Sequence, residues 1–160
     1  FRQSDFLDVV AQILQETGLP AHRLEVEVTE SLFLDTAPRV LRVLEVLKAM
    51  GIRISMDDFG TGFSSLATLQ SFAFDKTKID RSFTEQIGAE AKGTAIVRAV
   101  VSLGQALGMT VIAEGVETAE QVGYLRHQQC QLAQGYLYGK PLPITQYADL
   151  VRAPDVKRVA

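Results

Sequence analysis

Cysteine, histidine and long apolar runs are scarce in this chain of 160 residues, and each scarcity excludes a class of protein. Cys130 is the single cysteine, so an intrachain disulfide and a thiolate metal cluster are excluded. No apolar run reaches the roughly 18 residues that span a membrane, and the amino terminus lacks a secretory signal pattern. His22 and His127 lie outside the predicted strand ends, so we interpret them as surface or structural residues.

The charge balance argues against nucleic acid as a partner. The net charge is -3 and no strongly basic run occurs, so a polyanionic chain would gain little on binding. A hydrophobic fraction of 47% with 22% charged residues is typical of a soluble globular protein. The chain has no initiator Met and opens on a predicted helix, so we expect a fragment of a longer protein. A cytoplasmic setting is predicted.

Strand-like and helix-like segments alternate along the chain. The predicted strands are 24–29, 52–59, 76–80, 109–114 and 132–134. The predicted helices are 4–17, 38–50, 64–72, 93–107, one opened by Thr118 with Gln121 as a capping box, and 145–150. This alternation predicts parallel βαβ units, in which catalytic and binding residues lie at the carboxyl ends of the strands.

Charged or amide side chains stand at the end of nearly every predicted strand. In chain order they are Glu27 and Glu30, Asp57 and Asp58, Lys78 and Asp80, Glu114 and Glu117, and Gln134. Each one alone is explained as a helix cap or a solvated surface group. Several carboxylates that converge at one sheet edge need a cation, however, because an unpaired buried charge is costly. Oxygen ligands without His or Cys favour Mg²⁺, Mn²⁺ or Ca²⁺ over Zn²⁺.

The stretch "SMDDFGTGFSSL" places two aspartates side by side at a predicted strand end. Asp57 and Asp58 can tolerate each other if a metal lies between or beside them, and one carboxylate could bridge two ions about 4 Å apart. Lys78 could then orient an attacking water or neutralise developing charge. The glycines that follow fit either a mobile loop over the site or a plain turn in which Ser64 or Ser65 caps a helix.

Five ordered motifs carry a resemblance to a known family. The motifs "EVTES", "DDFGTGFSSL", "KIDRSF", "AEGVET" and "QGYLYGKPLP" resemble those of the EAL-type cyclic-di-GMP phosphodiesterases across residues 1–150, which leaves 151–160 as a tail. The resemblance implies an α/β, TIM-barrel-like repeat with one antiparallel strand. It also implies hydrolysis of the bacterial messenger cyclic di-GMP to linear pGpG with two Mg²⁺ or Mn²⁺ ions, and inhibition by Ca²⁺.

The same resemblance implies a role for each strand-end residue. Glu27 and Asp57 resemble metal ligands, Asp58 resembles a ligand of the second ion, and Glu114 belongs to the two-metal site. Lys78 resembles the lysine that holds the catalytic water. Three further positions, Asp80, Glu117 and Gln134, resemble residues that contact the substrate or support the ligands. Glu30 resembles the anchor of loop 59–65, which in the family couples the active site to dimer contacts.

The chain departs from the family pattern in three places. Phe63 stands where Tyr is common. Gln129 and Gln131 replace the Gly and Asp of a Leu-Gly-Cys-Asp pattern, changes that would alter a turn and a peripheral hydrogen bond but not the metal site. The Glu-Ala-Leu segment and an Asn-containing strand are absent; in the family these supply a glutamate and an asparagine to the first metal and an arginine to the substrate.

A full barrel needs about 250 residues, so we expect roughly three further strands before this chain. The fragment alone is therefore expected to be unstable as a monomer and incomplete for catalysis. The leading hypothesis is a cyclic-di-GMP phosphodiesterase that forms homodimers and carries amino-terminal sensory or cyclase domains, with any membrane anchor in domains outside this chain. The alternative is a catalytically inactive cyclic-di-GMP receptor or regulatory module. A scaffold used only for dimerisation has no use for converging carboxylates.

Overall fold

The computed structural model describes residues 5–60, 72–89 and 91–147, in which strands and helices alternate as predicted. The strands are β1 (Glu25–Thr29), β2 (Arg53–Phe59), β3 (Lys76–Ile79), β4 (Thr110–Ala113) and β5 (Leu132–Ala133). The α-helices are α1 (Phe6–Thr17), α2 (Phe33–Ala49), α3 (Arg81–Thr84), α4 (Ala91–Ala106) and α5 (Ala119–His127). Short 3-10 helices span Ala21–Arg23, Glu30–Leu32 and Ile144–Tyr147.

The strands form a single parallel sheet in the order β1-β2-β3-β4-β5. Each strand is parallel to its neighbour, so all five carboxyl ends meet at the same edge of the sheet. Thr29 at the end of β1 lies opposite Asp57 in β2, and Lys78 in β3 lies opposite Ile112 in β4. The predicted α/β fold with parallel βαβ units is confirmed.

The hydrophobic core lies between the sheet and the helices that cover one of its faces. Helix α2 packs on β2, and α4 packs on β3 and β4. In β1, Val28 is 2% exposed on the helix side, whereas the Glu27 side chain is 48% exposed on the other side. Burial of each large apolar side chain contributes roughly 1.5–3 kcal/mol, so this face fixes which strand residues point away from the helices.

The largest differences from the predicted helix boundaries lie in α2 and near the carboxyl terminus. Helix α2 begins at Phe33 rather than near Pro38, which lies inside it. At the sixth position of α2, Pro38 lacks the N–H that would bond the carbonyl four residues earlier, at a cost of about 3 kcal/mol, so its place inside the helix runs against the local preference on which the prediction rested. Near the carboxyl terminus, Ile144–Tyr147 is a 3-10 helix where a helix over 145–150 was predicted, and residues 148–150 lie outside the described ranges. The helix predicted at 64–72 also lies outside them, except for Phe72.

The end of α1 and the start of α5 are as predicted. Gly18 follows α1 with a left-handed φ of 65°. Thr118 caps α5 by accepting a hydrogen bond from the Gln121 N–H at 3.2 Å, and the Gln121 side-chain oxygen accepts from the Thr118 N–H at 3.0 Å. Both halves of the capping box are therefore present. Within the described residues, the helices are too short or too polar to cross a bilayer.

The turn after α5 contains the two glutamines that depart from the family pattern. Gln129 adopts a left-handed φ of 62°. The Gln131 side-chain oxygen accepts a hydrogen bond from the Val111 N–H at 3.0 Å. A change in the turn and in the hydrogen bond relative to the family stays a prediction.

Replacing Gln129 with glycine is expected to raise the free energy of unfolding by about 0.5–1 kcal/mol, because the left-handed conformation costs a residue with a Cβ about 1–2 kcal/mol. Urea denaturation of the intact protein measures the change. Gln128→Gly is the matched control: Gln128 has φ -79° and ψ 0°, so glycine there only adds entropy to the unfolded chain. Equal effects of the two variants would contradict the assignment of strain to Gln129.

Candidate active site at the carboxyl end of the sheet

The adjacent aspartates point to one site because β2 is irregular at its end. Successive residues of a regular strand point to opposite faces. Between Met56 and Phe59 the register of β2 against β3 shifts, and Asp58 adopts a φ of 54°. Such backbone strain is concentrated at functional sites. The Asp58 N–H donates to the Asp57 carboxylate at 3.1 Å.

Glu114, which directly follows β4, completes a cluster of carboxylates with this pair. Asp57, Asp58 and Glu114 each offer an oxygen, and these atoms all lie within 4.8 Å of one another. An oxygen-only set of this size suits a hard divalent cation. Burial, followed by the charges of Asp57 and Asp80, raises the pKa of Asp58, while Lys78 lowers it. The residues present thus fit Mg²⁺ or Mn²⁺.

Lys78 lies at the centre of the carboxylates. Its ammonium nitrogen is 2.7 Å from Glu114 Oε1, 3.1 Å from Glu27 Oε2 and 3.1 Å from Asp57 Oδ1, and the side chain is 8% exposed. Burial lowers the pKa of Lys78, but hydrogen bonds to the three carboxylates outweigh it and raise the pKa above its ordinary value. Lys78 is therefore a positive charge on β3 that forms ion pairs with carboxylates from β1, from β2 and from the residue after β4.

Gln134 follows β5 and supports Glu114. Its amide nitrogen donates to Glu114 Oε1 at 2.7 Å, and its backbone N–H donates to the Ala113 carbonyl at 2.8 Å. Its own carbonyl accepts from the Val116 N–H at 3.0 Å. The next residue must be glycine, because a Cβ on Gly135 would collide with the backbone of Val116. Gly135 thus allows the chain after β5 to approach the chain after β4.

Two further predicted residues lie beside the cluster rather than in it. Asp80 caps α3, where its carboxylate accepts hydrogen bonds from the Ser82 N–H at 2.9 Å and from the Ser82 hydroxyl. Glu117 is exposed and forms an ion pair with Arg81 at 3.1 Å. Glu114 and Glu117 both line an adjoining cavity of about 490 Å³. The side chain of Glu30 and residues 61–65 of the predicted loop lie outside the described structure.

The cavity contains residues that the sequence reasoning missed. Besides Glu114, Glu117 and Gln134, its walls include Arg81, Tyr136, Pro141 and Tyr147. The i, i+4 spacing of Arg81 and Glu85 was the available signal for an ordered arginine, and the two side chains do form an ion pair. Exposed Tyr136 offers an aromatic face at the cavity.

A parallel α/β sheet whose carboxyl end carries clustered carboxylates and a buried lysine is typical of a metal-dependent site in a TIM-barrel-like fold. The family model described as the EAL domain matches residues 1–141. The chain belongs to the EAL domain family.

Relatives of known name and structure agree with this assignment. A protein named cyclic di-GMP phosphodiesterase NbdA from Pseudomonas aeruginosa is 40% identical over 94% of this chain and 19% of its own length. The PaMucR phosphodiesterase in complex with c-di-GMP superposes with a TM-score of 0.86 at 41% identity, over 91% of this chain and 59% of that one. A manganese and c-di-GMP complex of Klebsiella pneumoniae BlrP1 superposes with a TM-score of 0.81 at 34% identity, over 88% of this chain and 36% of that one.

The TIM-barrel-like fold class predicted from the sequence is therefore confirmed. The chain spans about a fifth of the length of the curated relatives that it matches.

Proposed function

We propose that the protein containing this chain hydrolyses one phosphodiester bond of cyclic di-GMP to give linear pGpG. The observation that supports this most is the joining of three carboxylates by Lys78 at the carboxyl end of the sheet. The relatives named above supply the substrate class. The family match alone would fit a chain that had lost its site, whereas the clustered side chains are those that the chemistry needs.

The carboxylates are proposed to hold two divalent cations, Mg²⁺ or Mn²⁺. Glu27, Asp57, Asp58 and Glu114 are the proposed ligands, of which the last three already lie within 4.8 Å of one another. Bound ions of this kind lower the pKa of a water and neutralise charge on the phosphate. Gln134 would fix the orientation of Glu114 by the hydrogen bond between their side chains.

Lys78 is proposed to hold the attacking water and to neutralise charge that develops on the reacting phosphate. A lysine of ordinary pKa is already charged at neutral pH, so Lys78 is proposed to act as a hydrogen-bond donor and not as a base. Three carboxylates restrict its position, which lowers the cost of orienting it during the reaction.

The cavity beside the cluster is proposed to receive a nucleotide portion of the substrate. Its volume of about 490 Å³ lies in the range of small-molecule sites. Glu117 and Gln134 line it and are proposed to contact the substrate, with Asp80 supporting the site through its cap on α3. Glu30 is proposed to anchor loop 59–65.

The assignments that concern the whole protein are also proposals. Residues 1–150 would form the carboxyl-terminal part of the barrel and 151–160 a tail. The protein would form a homodimer, act in the cytoplasm and carry sensory or cyclase domains before this chain. Hydrolysis by the 160 residues alone is not expected, since the family's Glu-Ala-Leu segment is not among them.

Chromatography of cyclic di-GMP after incubation with the intact protein, the longer chain proposed to contain these 160 residues, tests the function. Product pGpG is expected with Mg²⁺ or Mn²⁺ and not with EDTA. Binding of cyclic di-GMP without product would instead identify a receptor. The absence of both binding and product would overturn the proposed function.

A further inference from the structure

Arg81 joins two elements that flank the cavity. It is the first residue of α3, and its guanidinium pairs through Nε with Glu85, which follows that helix, and through a terminal nitrogen with Glu117, 3.1 Å away. Glu117 belongs to the segment between β4 and α5. The planar fork of an arginine can hold two carboxylates in fixed directions at once, which the single ammonium of a lysine does less well.

The backbone beneath Arg81 is shaped to receive its stem. Gly115 has a φ of 66°, and a Cβ at this position would collide with the Arg81 side chain. The arginine stem therefore lies directly against the four-residue segment 114–117. This segment carries Glu114, which contacts Lys78, at one end and Glu117, which lines the cavity, at the other.

The contacts of Arg81 are better suited to orientation than to stability. The side chain is 51% exposed and that of Glu117 is 40% exposed, and exposed ion pairs add little to the free energy of unfolding. The Glu117 backbone is already fixed, because its N–H donates to the Gln121 side chain at 2.7 Å. Its carboxylate is directed by Arg81.

We propose that Arg81 is a positioning residue that holds the Glu117 carboxylate at the cavity wall in the orientation that substrate binding requires. This inference rests on the proposed function, since it assigns Glu117 to the substrate side of the same site. Arg81 would act through Glu117 and not by contact with the reacting phosphate, so its loss should weaken substrate binding more than it slows turnover.

Steady-state kinetics of the intact protein test the kinetic part. Arg81→Met keeps the stem and removes the fork, and we expect KM for cyclic di-GMP to rise about tenfold with kcat changed less than about threefold. The KM of Arg81→Lys should lie between those of Arg81→Met and the wild type. The matched control is Arg98→Met, which removes an exposed arginine from α4 without altering KM. A fall in kcat at constant KM would overturn the proposal.

A double-mutant cycle separates action through Glu117 from direct contact with the substrate. In a Glu117→Gln background, Arg81→Met is expected to change KM by less than about twofold, because the group that it positions is already lost. A full tenfold effect in that background would mean that Arg81 contacts the substrate itself, and the positioning role would be wrong.

Side-chain dynamics of Glu117 give a readout that does not depend on turnover. In Arg81→Met, NMR relaxation is expected to show a lower order parameter for the Glu117 side chain than in the wild type, while Arg98→Met leaves it unchanged. An unchanged order parameter in Arg81→Met would overturn the inference whatever the kinetics. If the wild type neither binds nor hydrolyses cyclic di-GMP, the proposed function fails, and the order parameters alone decide whether Arg81 fixes the Glu117 side chain.

Discussion

Replacing Lys78 with methionine is expected to lower kcat for cyclic di-GMP by about a thousandfold and to change KM by less than about threefold. The Lys78 ammonium contacts three carboxylates. Among the described residues, Lys78 does not line the cavity that is proposed to receive the substrate. Its loss should therefore affect the reacting centre and leave substrate binding nearly intact. Steady-state kinetics of the intact protein in Mn²⁺ measure both constants.

The same variant is expected to lower stability. Removal of one partner from a buried group of charges typically costs about 3–5 kcal/mol, and the lower end applies because Glu27 is half-exposed. Urea denaturation in EDTA should therefore show a loss of about 3 kcal/mol in the free energy of unfolding. Added Mn²⁺ should restore part of it, since a divalent cation replaces the missing charge among the carboxylates.

Lys76→Met provides the matched control for Lys78. Lys76 lies on the same strand two residues earlier and pairs with one carboxylate, that of Glu25, at 2.6 Å, so it is a lysine in an ion pair on the same strand but away from the carboxylate cluster. This variant is expected to lose stability but to keep kcat within about threefold of the wild type. Near-normal kcat in Lys78→Met, or an equal loss of kcat in both variants, would contradict the catalytic assignment of Lys78.

The effect of Lys78 on stability has a definite direction with pH. Its folded-state pKa lies above the value of about 10.4 for an unfolded lysine. A group of this kind contributes its full stabilisation below the unfolded pKa and loses it only as the pH rises through the folded pKa. The difference in unfolding free energy between wild type and Lys78→Met should therefore stay constant through neutral pH and shrink only in strong alkali.

The sequence predicted that the strand-end residues lie near one another, because a parallel sheet brings every carboxyl end to one edge. Once strands and helices were seen to alternate, Glu27, Asp57, Lys78 and Glu114 had to lie near one another. What could not be read was how two neighbouring aspartates reach the same site. That depends on the register shift between β2 and β3 and on the left-handed Asp58, which are properties of the paired strands.

Other features eluded the sequence because they depend on contacts between distant residues. The i, i+4 pair of Arg81 with Glu85 is local, but the contact of Arg81 with Glu117 joins residues from different βα units. The contact of the Gln131 side chain with the Val111 N–H and the left-handed φ of Gln129 likewise depend on how the segment after α5 packs beside β4.

Replacing Asp57 with asparagine is expected to abolish turnover, with a loss in kcat of at least about a thousandfold. Asparagine preserves the shape and the acceptor oxygen that binds the Asp58 N–H and Lys78, so the fold should survive. It removes one negative charge from a cluster that is proposed to bind two cations. Circular dichroism should therefore be unchanged while activity is lost.

Calorimetric titration of Mn²⁺ into the intact protein separates a metal ligand from a residue that supports the site in another way. Asp57→Asn is expected to weaken Mn²⁺ binding by at least about a hundredfold, since even residues behind the ligands contribute about 10- to 100-fold to metal affinity. Asp8→Asn, which neutralises an exposed aspartate in the first turn of α1, should leave affinity and kcat unchanged. Near-normal turnover in Asp57→Asn would contradict the two-metal mechanism. Lost turnover with undiminished Mn²⁺ affinity would mean that Asp57 takes part in the reaction but is not a metal ligand. A carboxylate that binds the ion cannot lose its charge without weakening the binding of Mn²⁺.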